Sequence, residues 1–419
     1  MSLYMAVLGE RERSRFGRSF ESLESSPFRG WFLSQVFSAS GTMTQTVATS
    51  WLLLRLTGSS VDLGLLSTCT FLPVLLLSPQ AGALVDRVDR RKLLIATQAS
   101  LCALSAAAAA IVASGVVQAW MLFLIGALTG TVTAPDNTAR QVYVVDLVGT
   151  QRLASAVSLN EIVLNTSRIV GPAVGGALLA TVGVAACCAV NAASYLIPLF
   201  VLLTHRRAQS AAPRSTIRQQ GPGVSLRDAV RYAWRHGPIR VSLFLAAASG
   251  LLFNLGVSLP VLATRVFHLG GGGYGLMMSA FGIGALPGAL LAAGGRQPTG
   301  RRVGWLALAT AASVLGTAFA PLLWLTIIGL AVVGCLSIWF IATANTLVQI
   351  AAAPGMRGRM MGLWTTALPG TSPVNSPFAG WVTQDIGPRE GFALSGLALA
   401  LVSTLGWRAL SRDRETSEL

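Results

Sequence analysis

"GALVDRVDRRKLL", residues 82–94, is the stretch whose reading decides the fold. Asp86, Arg87, Asp89, Arg90, Arg91 and Lys92 crowd together in it, within a chain of 419 residues that is 53% hydrophobic and only 11% charged. On either side the sequence stays apolar for the length of a bilayer-spanning helix, about 20 residues. Charges gathered between two such runs belong in water at a membrane face, so the stretch reads as a tight turn between two spans.

Moving outward, further apolar segments appear, and twelve are expected: 31–56, 62–85, 93–114, 119–143, 154–180, 184–204, 240–262, 273–293, 303–320, 321–349, 360–384 and 391–407. A mean hydropathy of +0.63 is more than a soluble core could absorb. In lipid each backbone polar group needs a partner within the protein, and these runs lack the alternation of barrel strands. An all-α polytopic membrane protein follows.

Charge gives the orientation. With both termini cytoplasmic, the inner segments hold 26 Lys and Arg and the outer loops hold only Arg55, Arg265 and Arg389. That asymmetry is what the positive-inside rule demands, and it predicts a multi-pass membrane protein with both termini cytoplasmic. The longest inner segment, 205–240, divides the spans six and six. Its first part, "HRRAQSAAPRSTIRQQGPG", reads as a linker. "SLRDAVRYAWRH" then places Leu226, Val230, Ala233 and Trp234 on one face against Arg227, Arg231 and Arg235, with Ser225 as N-cap, which predicts a basic amphipathic helix on the inner leaflet. Gly82-Ala83-Leu84 recurs as Gly288-Ala289-Leu290, and Gln141 as Gln349, as in two repeated halves. The expected organisation is a tail over 1–30, one half over 31–204, the linker and amphipathic helix over 205–240, a second half over 241–407 and a tail over 408–419.

Several function classes drop out. The net charge of +15 lacks the interleaved aromatics of a nucleic-acid groove, so no nucleic-acid partner is expected. Cys69, Cys102, Cys187, Cys188 and Cys335 all lie in apolar stretches, as small fillers rather than metal or disulfide ligands. The first thirty residues carry arginines and no apolar segment, unlike a secretory signal. His205, His236 and His268 fall in or near loops and no nucleophile has a base at helical spacing, which argues against an enzyme. Gly270–Gly273 reads as an outer loop, and no Walker motif or cofactor fingerprint is present. No cofactor or metal is expected.

The deep charges are all in the first half: Asp136, Arg140, Glu161 and Arg168. Such residues are costly in a bilayer and usually functional, with a structural salt bridge as the competing reading. Thr129, Thr133, Asp136 and Arg140 share one helical face, and Ser158, Glu161, Asn165 and Arg168 another. At 1.5 Å per residue Asp136 lies roughly 26 Å and Arg140 roughly 32 Å along span four, near the inner edge, where water would blunt any change of protonation. Glu161 and Arg168 lie roughly 12 Å and 23 Å into span five, bracketing the bilayer middle. Arginine stays protonated, so Glu161 is the first candidate for a proton carrier and Asp136 the second, with Arg168 as the charge that tunes Glu161.

"GALVDRVDRRKLL" resembles motif A of the major facilitator superfamily at Gly82, Asp86, Arg87, Arg90 and Arg91, with Asp89 in place of the inner glycine. "GPAVGG", with Gly171, Pro172, Gly175 and Gly176, is similar to the end of the antiporter motif C, whose upstream glycines are Ser158 and Ser167 here. "LTGSSVDLGLL", "PDNTARQ", "SLNEIVLNTSRIVGP" and "RGRMMGL" resemble the branch of enterobactin-type siderophore exporters and macrolide efflux pumps, over residues 31–407. The resemblance implies two six-helix halves and a motif A that latches their cytoplasmic ends in the outward-facing state, with Arg140 nearby in the gate. It also implies that spans one, four, seven and ten line a central cavity. Candidate lining residues are Thr42, Gln45, Thr133, Asn165, Asn254, Trp339, Phe340 and Asn345, a mixture of amides, hydroxyls and aromatics suited to amphiphilic small molecules. Each of these could instead pack helices together. The expected activity is secondary active export of a lipophilic small molecule by a monomer in lipid, driven by protons. Uptake, or a non-transporting sensor or assembly role, is the alternative.

Overall fold

The fold is described from a computed structural model covering residues 22, 25–149, 153–204, 226–294, 298–353, 356–368 and 370–411. All regular structure among these residues is helical. The first half comprises α1 Ser26–Thr57, α2 Ser60–Arg87, α3 Arg90–Ala113, α4 Ala119–Val148, α5 Leu153–Thr181 and α6 Val184–Thr204. A short α7, Leu226–Arg235, precedes the second half: α8 Gly237–Phe253, α9 Leu255–Val261, a π-helical turn Leu262–Val266, α10 Gly271–Ala293, α11 Gly300–Ala318, α12 Leu323–Ala351, α13 Arg357–Ala367, α14 Ser372–Asp385 and α15 Pro388–Ser411. The α8–α9–π run forms span seven and α13–α14 form span eleven, so twelve membrane positions result. Among the described residues seven helical stretches are long and apolar enough to cross a bilayer, with the α8–α9–π run counted as one. α1 dilutes its apolarity with Ser, Thr and Gln side chains, and span eleven is divided into α13 and α14.

Local chemistry explains several ends. Val88 and Asp89 make the turn of the opening stretch, and Asp89 Oδ1 accepts from Lys92 N at 2.9 Å as the N-cap of α3. An aspartate therefore serves where the motif has glycine, because the turn is also a helix start. Ser59 caps α2 in the same way, and α1 stops at Gly58, whose φ of 65° is left-handed. Span seven breaks at Asn254 (φ −81°, ψ 40°), and Pro260 inside α9 removes a backbone donor just before the π-helical turn.

Some expected boundaries move. α1 begins at Ser26, and Phe28 and Trp31 are buried, because these residues pack into the first half rather than forming a tail. Gly271–Gly273 are the first turn of α10 and not a loop, and the missing side chains of Gly271 and Gly272 let that turn lie against Leu179 and Ala180 of α5. α15 runs on to Ser411. Span eleven is divided into α13 and α14, with Pro373 in the first turn of α14 and Pro377 inside it. Pro369, the tails 1–21 and 412–419 and residues 205–225, including the Ser225 cap, lie outside the described residues.

The two halves use the same internal pairings. α2 packs on α4 as α10 does on α12, α3 on α6 as α11 on α15, and α1 on α6 as α8 on α15. The halves meet through two symmetric seams, α2 with α14 and α5 with α10. Ser60 Oγ donates to Gly380 O at 3.0 Å and to Gln384 Oε1 at 2.9 Å, Thr68 Oγ1 to Pro373 O at 2.9 Å, and Arg265 Nη2 to Gly58 O at 2.6 Å. Trp51 of α1 stacks on Tyr274 of α10. These bonds gather at the end that bears the α1–α2 turn. At the opposite end of α2, a side chain on Gly82 would meet open space.

The GPAVGG stretch divides between two neighbours. Gly171 and Gly175 face α1, where Thr44 Oγ1 donates to Gly171 O at 2.9 Å. Gly176 faces α10, and a Cβ on it would stand 2.7 Å from the Cα of Gly275. One methyl at Gly176 therefore pushes backbone against backbone across the seam. Gly176→Ala is expected to destabilise the purified protein by about 1–3 kcal/mol, with Gly175→Ala, whose nearest neighbour is Thr44 O at 3.2 Å, costing clearly less. Thermal unfolding in detergent checks this; equal losses would show that the seam does not rest on Gly176.

Candidate functional site

The centre of the first half is a buried charge knot. Asp136 on α4 is 1% exposed. Its Oδ1 accepts from Thr97 Oγ1 at 2.6 Å and Gln98 Nε2 at 2.8 Å, both on α3, and its Oδ2 accepts from Arg140 Nε at 2.6 Å. Arg140 Nη1 donates to Gln35 Oε1 on α1. The spacing of 136 and 140 puts the pair on one face of α4, and α1 and α3 bring the remaining partners. Asp136 had been expected at a wet inner edge. It is instead sealed among three helices, because polar side chains from α1 and α3 replace water around it. Gln35 Nε2 and Gln98 Oε1 remain buried without a partner beside the knot.

A second polar layer joins α1, α3 and α6. Asn191 Nδ2 donates to Gln45 Oε1 at 2.7 Å and lies 3.1 Å from Ser105 Oγ. Thr42 Oγ1 lies 3.0 Å from the Tyr195 hydroxyl and 2.9 Å from Ser38 O. Thr42 and Gln45 thus sit where span one was expected to be polar, but their partners on α6 were missed. Asn191, Ser194 and Tyr195 recur at helical spacing within an otherwise apolar span, a signal that could have revealed them. Thr133 is half-buried, with Oγ1 donating to Thr129 O at 2.7 Å.

Between the halves, the guanidinium of Arg168 on α5 lies 5.8 Å from the ring centroid of Phe253 on α8. Phe253 in turn meets Phe281 of α10 edge-on at 6.3 Å. This places Arg168 beside the break in span seven, where Asn254 is buried and donates through Nδ2 to Gly250 O at 3.1 Å. The arrangement sets a cation against aromatic faces, a surface able to hold an amphiphile. On α12, the Trp339 ring lies under Arg302 at 5.4 Å, and its Nε1 has no hydrogen-bond partner. Asn345 accepts from Gln349 Nε2 at 2.5 Å. Phe340 is 0% exposed and belongs to the core of the second half. The side chains of Glu161 and Asn165 lie outside the described residues, as does that of Asp86. Among the described residues no group of His, Cys, Asp and Glu converges as a metal site requires.

The arginines of the 86–92 turn are anchored within the first half. Arg90 Nη1 contacts both oxygens of Asp146 on α4, at 2.7 and 2.8 Å. Arg91 Nε donates to Leu202 O on α6 at 2.7 Å and its Nη2 to Leu203 O at 3.3 Å. Arg87 is exposed. Asp146, missed in the sequence, is the partner that clamps α3 to α4. The two ion pairs should differ sharply in weight. Arg140→Gln leaves Asp136 buried without its countercharge and should cost about 3–5 kcal/mol; Arg90→Gln breaks a pair whose side chains are 23% and 29% exposed and should cost about 1 kcal/mol or less. Thermal stability of the two purified variants compares them, and an Arg90→Gln loss as large as that of Arg140→Gln would refute the ranking.

Known proteins place this arrangement in context. The chain is 28% identical over 384 residues to the multidrug efflux pump Tap of Mycobacterium tuberculosis, covering 88% of this chain and 89% of the pump. It is 27% identical over 383 residues to the enterobactin exporter EntS of Citrobacter koseri, covering 90% of each. It is also 27% identical over 247 residues to the staphyloferrin A transporter of Staphylococcus aureus, covering 57% of this chain and 60% of that one. In fold it is similar to a bacterial homologue of the human lysosomal transporter Spinster in an inward-facing, occupied conformation, with a TM-score of 0.71 at 13% identity over 92% of this chain and 96% of that one. A D-xylose-proton symporter is similar at a TM-score of 0.69 and 15% identity, over 91% and 98%. Residues 18–419 match the transmembrane secretion effector family. The chain belongs to that family, within the major facilitator superfamily, and is a multi-pass membrane transporter rather than an enzyme.

Proposed function

We propose that this transporter is a secondary active exporter, a proton antiporter that expels a lipophilic small molecule such as an antibiotic, a siderophore or a related metabolite across a bacterial cytoplasmic membrane. The observation that carries the reading is the position of Arg168, a cation from the first half laid against Phe253 of the second, at the plane where the halves must part. A substrate that displaces this contact acts on the relation between the halves directly. The activities for which Tap and EntS are named, multidrug efflux and enterobactin export, support outward transport of small molecules.

The distribution of contacts fits an alternating cycle. With both termini cytoplasmic, the end closed by Ser60, Gln384 and Arg265 is the outer one, and the open space at Gly82 is on the inner side, as in an inward-facing state ready to load from the cytoplasm. Arg90 and Arg91 hold α3, α4 and α6 together as a body, and contact across the inner gate is assigned to Asp86 on the motif resemblance alone. Glu161, seven residues before Arg168 on α5, is the carrier: it can gain and lose a proton, whereas Arg168 stays charged throughout. Asp136 serves the gate, because its oxygens are already taken by Thr97, Gln98 and Arg140, which tie α4 to α3. The chain works as a monomer, with lipid around it and no cofactor.

Purified protein in liposomes separates these assignments. Glu161→Gln should abolish substrate movement driven by a pH gradient, a loss of at least about tenfold, while sparing substrate binding and gradient-free counterflow. Probe substrates come from accumulation assays with siderophores, macrolides and dyes in a pump-deficient host. If Glu161→Gln still concentrates substrate and Asp136→Asn does not, the carrier is Asp136. If the wild type moves no probe under any gradient, export is the wrong activity.

A further inference from the structure

Helix α7 has three distinct surfaces. Ala229 and Ala233, 1% and 5% exposed, sink into the core of the second half. Beside them the Tyr232 hydroxyl accepts a hydrogen bond from the backbone N–H of Ala353 at 3.0 Å, just past the end of α12. Val230 and Trp234 point the other way and are exposed, and Trp234 meets Phe244 of α8 edge-to-face at 5.8 Å. Phe244 is itself exposed on a membrane span, so the apolar surface of α7 continues directly into the surface that faces lipid.

The third surface is charged. Arg231 and Arg235 are exposed, and Arg240 lies 5.8 Å from the Trp234 ring centroid while its Nη1 donates to Trp234 O at 3.1 Å. Asp228 is the one acid on α7. A tryptophan at the bilayer surface seats its ring at headgroup level, and arginines beside it attract anionic lipid over neutral lipid. Nothing in the transport reading uses these residues.

We propose that α7 is a docking surface for anionic phospholipid headgroups, held by Arg231, Arg235 and Arg240 around Trp234, and that the docked helix steadies the α12–α13 junction through Tyr232. Span eleven starts at that junction, and α13 packs against both α7 and α8. A lipid that fixes α7 therefore acts on the end of the second half that must move when the inner gate closes. The proposal rests on the membrane fold alone and not on the export reading, since its test needs no transported substrate.

The test uses the full chain in nanodiscs containing phosphatidylcholine or phosphatidylglycerol with brominated acyl chains, and subtraction of Trp234→Phe isolates the fluorescence of Trp234. Phosphatidylglycerol should quench it at a lipid fraction on the order of tenfold lower than phosphatidylcholine. Arg231→Gln with Arg235→Gln should remove that preference and leave quenching by phosphatidylcholine in place. Equal quenching by the two lipids, or a preference that survives the double substitution, overturns the docking surface. Amide exchange in the peptide that carries Ala353 should slow when phosphatidylglycerol is added to the wild type and stay unchanged in Tyr232→Phe. Exchange indifferent to lipid in the wild type, or slowed equally in Tyr232→Phe, overturns the link to the junction.

Discussion

Arg140 cannot stand alone in a bilayer, and that demand organises the first half. A guanidinium stays charged at any accessible pH, so a span that carries one must bring an anion and further acceptors to it. Asp136 supplies the anion from the same face of α4, Gln35 supplies an acceptor from α1, and Thr97 and Gln98 complete the carboxylate from α3. Three helices are thereby joined around one charge pair. The outer layer of Gln45, Asn191 and Ser105 extends the same logic to α6. The second half has no such knot among its described residues, and its buried hydroxyls mostly return to their own helix: Ser249 to Leu245 O, Thr310 to Leu306 O and Thr343 to Trp339 O.

This asymmetry suits a machine in which one half reads charge and the other supplies an apolar counterface. In the second half small residues replace polar glue. Gly284 and Gly288 of α10 lie against backbone carbonyls of α12, and Gly334 of α12 lies against α10, so dispersion contacts carry the packing where water offers no hydrophobic drive. The seam between halves mixes both languages. Gly176 and Gly275 bring α5 and α10 into backbone contact, while Ser60, Thr68 and Arg265 add hydrogen bonds towards the end that bears the α1–α2 turn.

The opening stretch illustrates how one segment serves several constraints. Its charges mark a membrane face, Asp89 starts α3 as a cap, Arg90 clamps α3 to α4 through Asp146, and Arg91 collects the last carbonyls of α6. The last of these is a helix C-terminus met by a cation, favourable for the unpaired carbonyls and for the helix dipole. A cluster that looks redundant in the sequence is thus divided among separate partners.

How much of this was legible depends on the range of the interaction. Span count, helical class and the paired halves follow from the lengths and spacing of apolar runs, which reflect bilayer thickness and the need to satisfy every backbone group locally. The faces shared by Asp136 with Arg140, and by Glu161 with Arg168, follow from helical periodicity in the same way. The partners did not: Gln98 comes to Asp136 from α3, Gln35 to Arg140 from α1, Asn191 to Gln45 from α6 and Asp146 to Arg90 from α4, and nothing local to an amide or a carboxylate says which neighbour it will meet. Phe340 reads as a candidate cavity aromatic and is packed in the core, because the sequence gives an aromatic no direction on its helix. The sequence by itself determined that charge had to be buried in the first half, as residues with fixed protonation stand in stretches too apolar to leave the membrane; the tertiary structure alone decided that the burial would be made good by α1 and α3 rather than by water, since only helix packing sets which side chains come within a hydrogen bond's length.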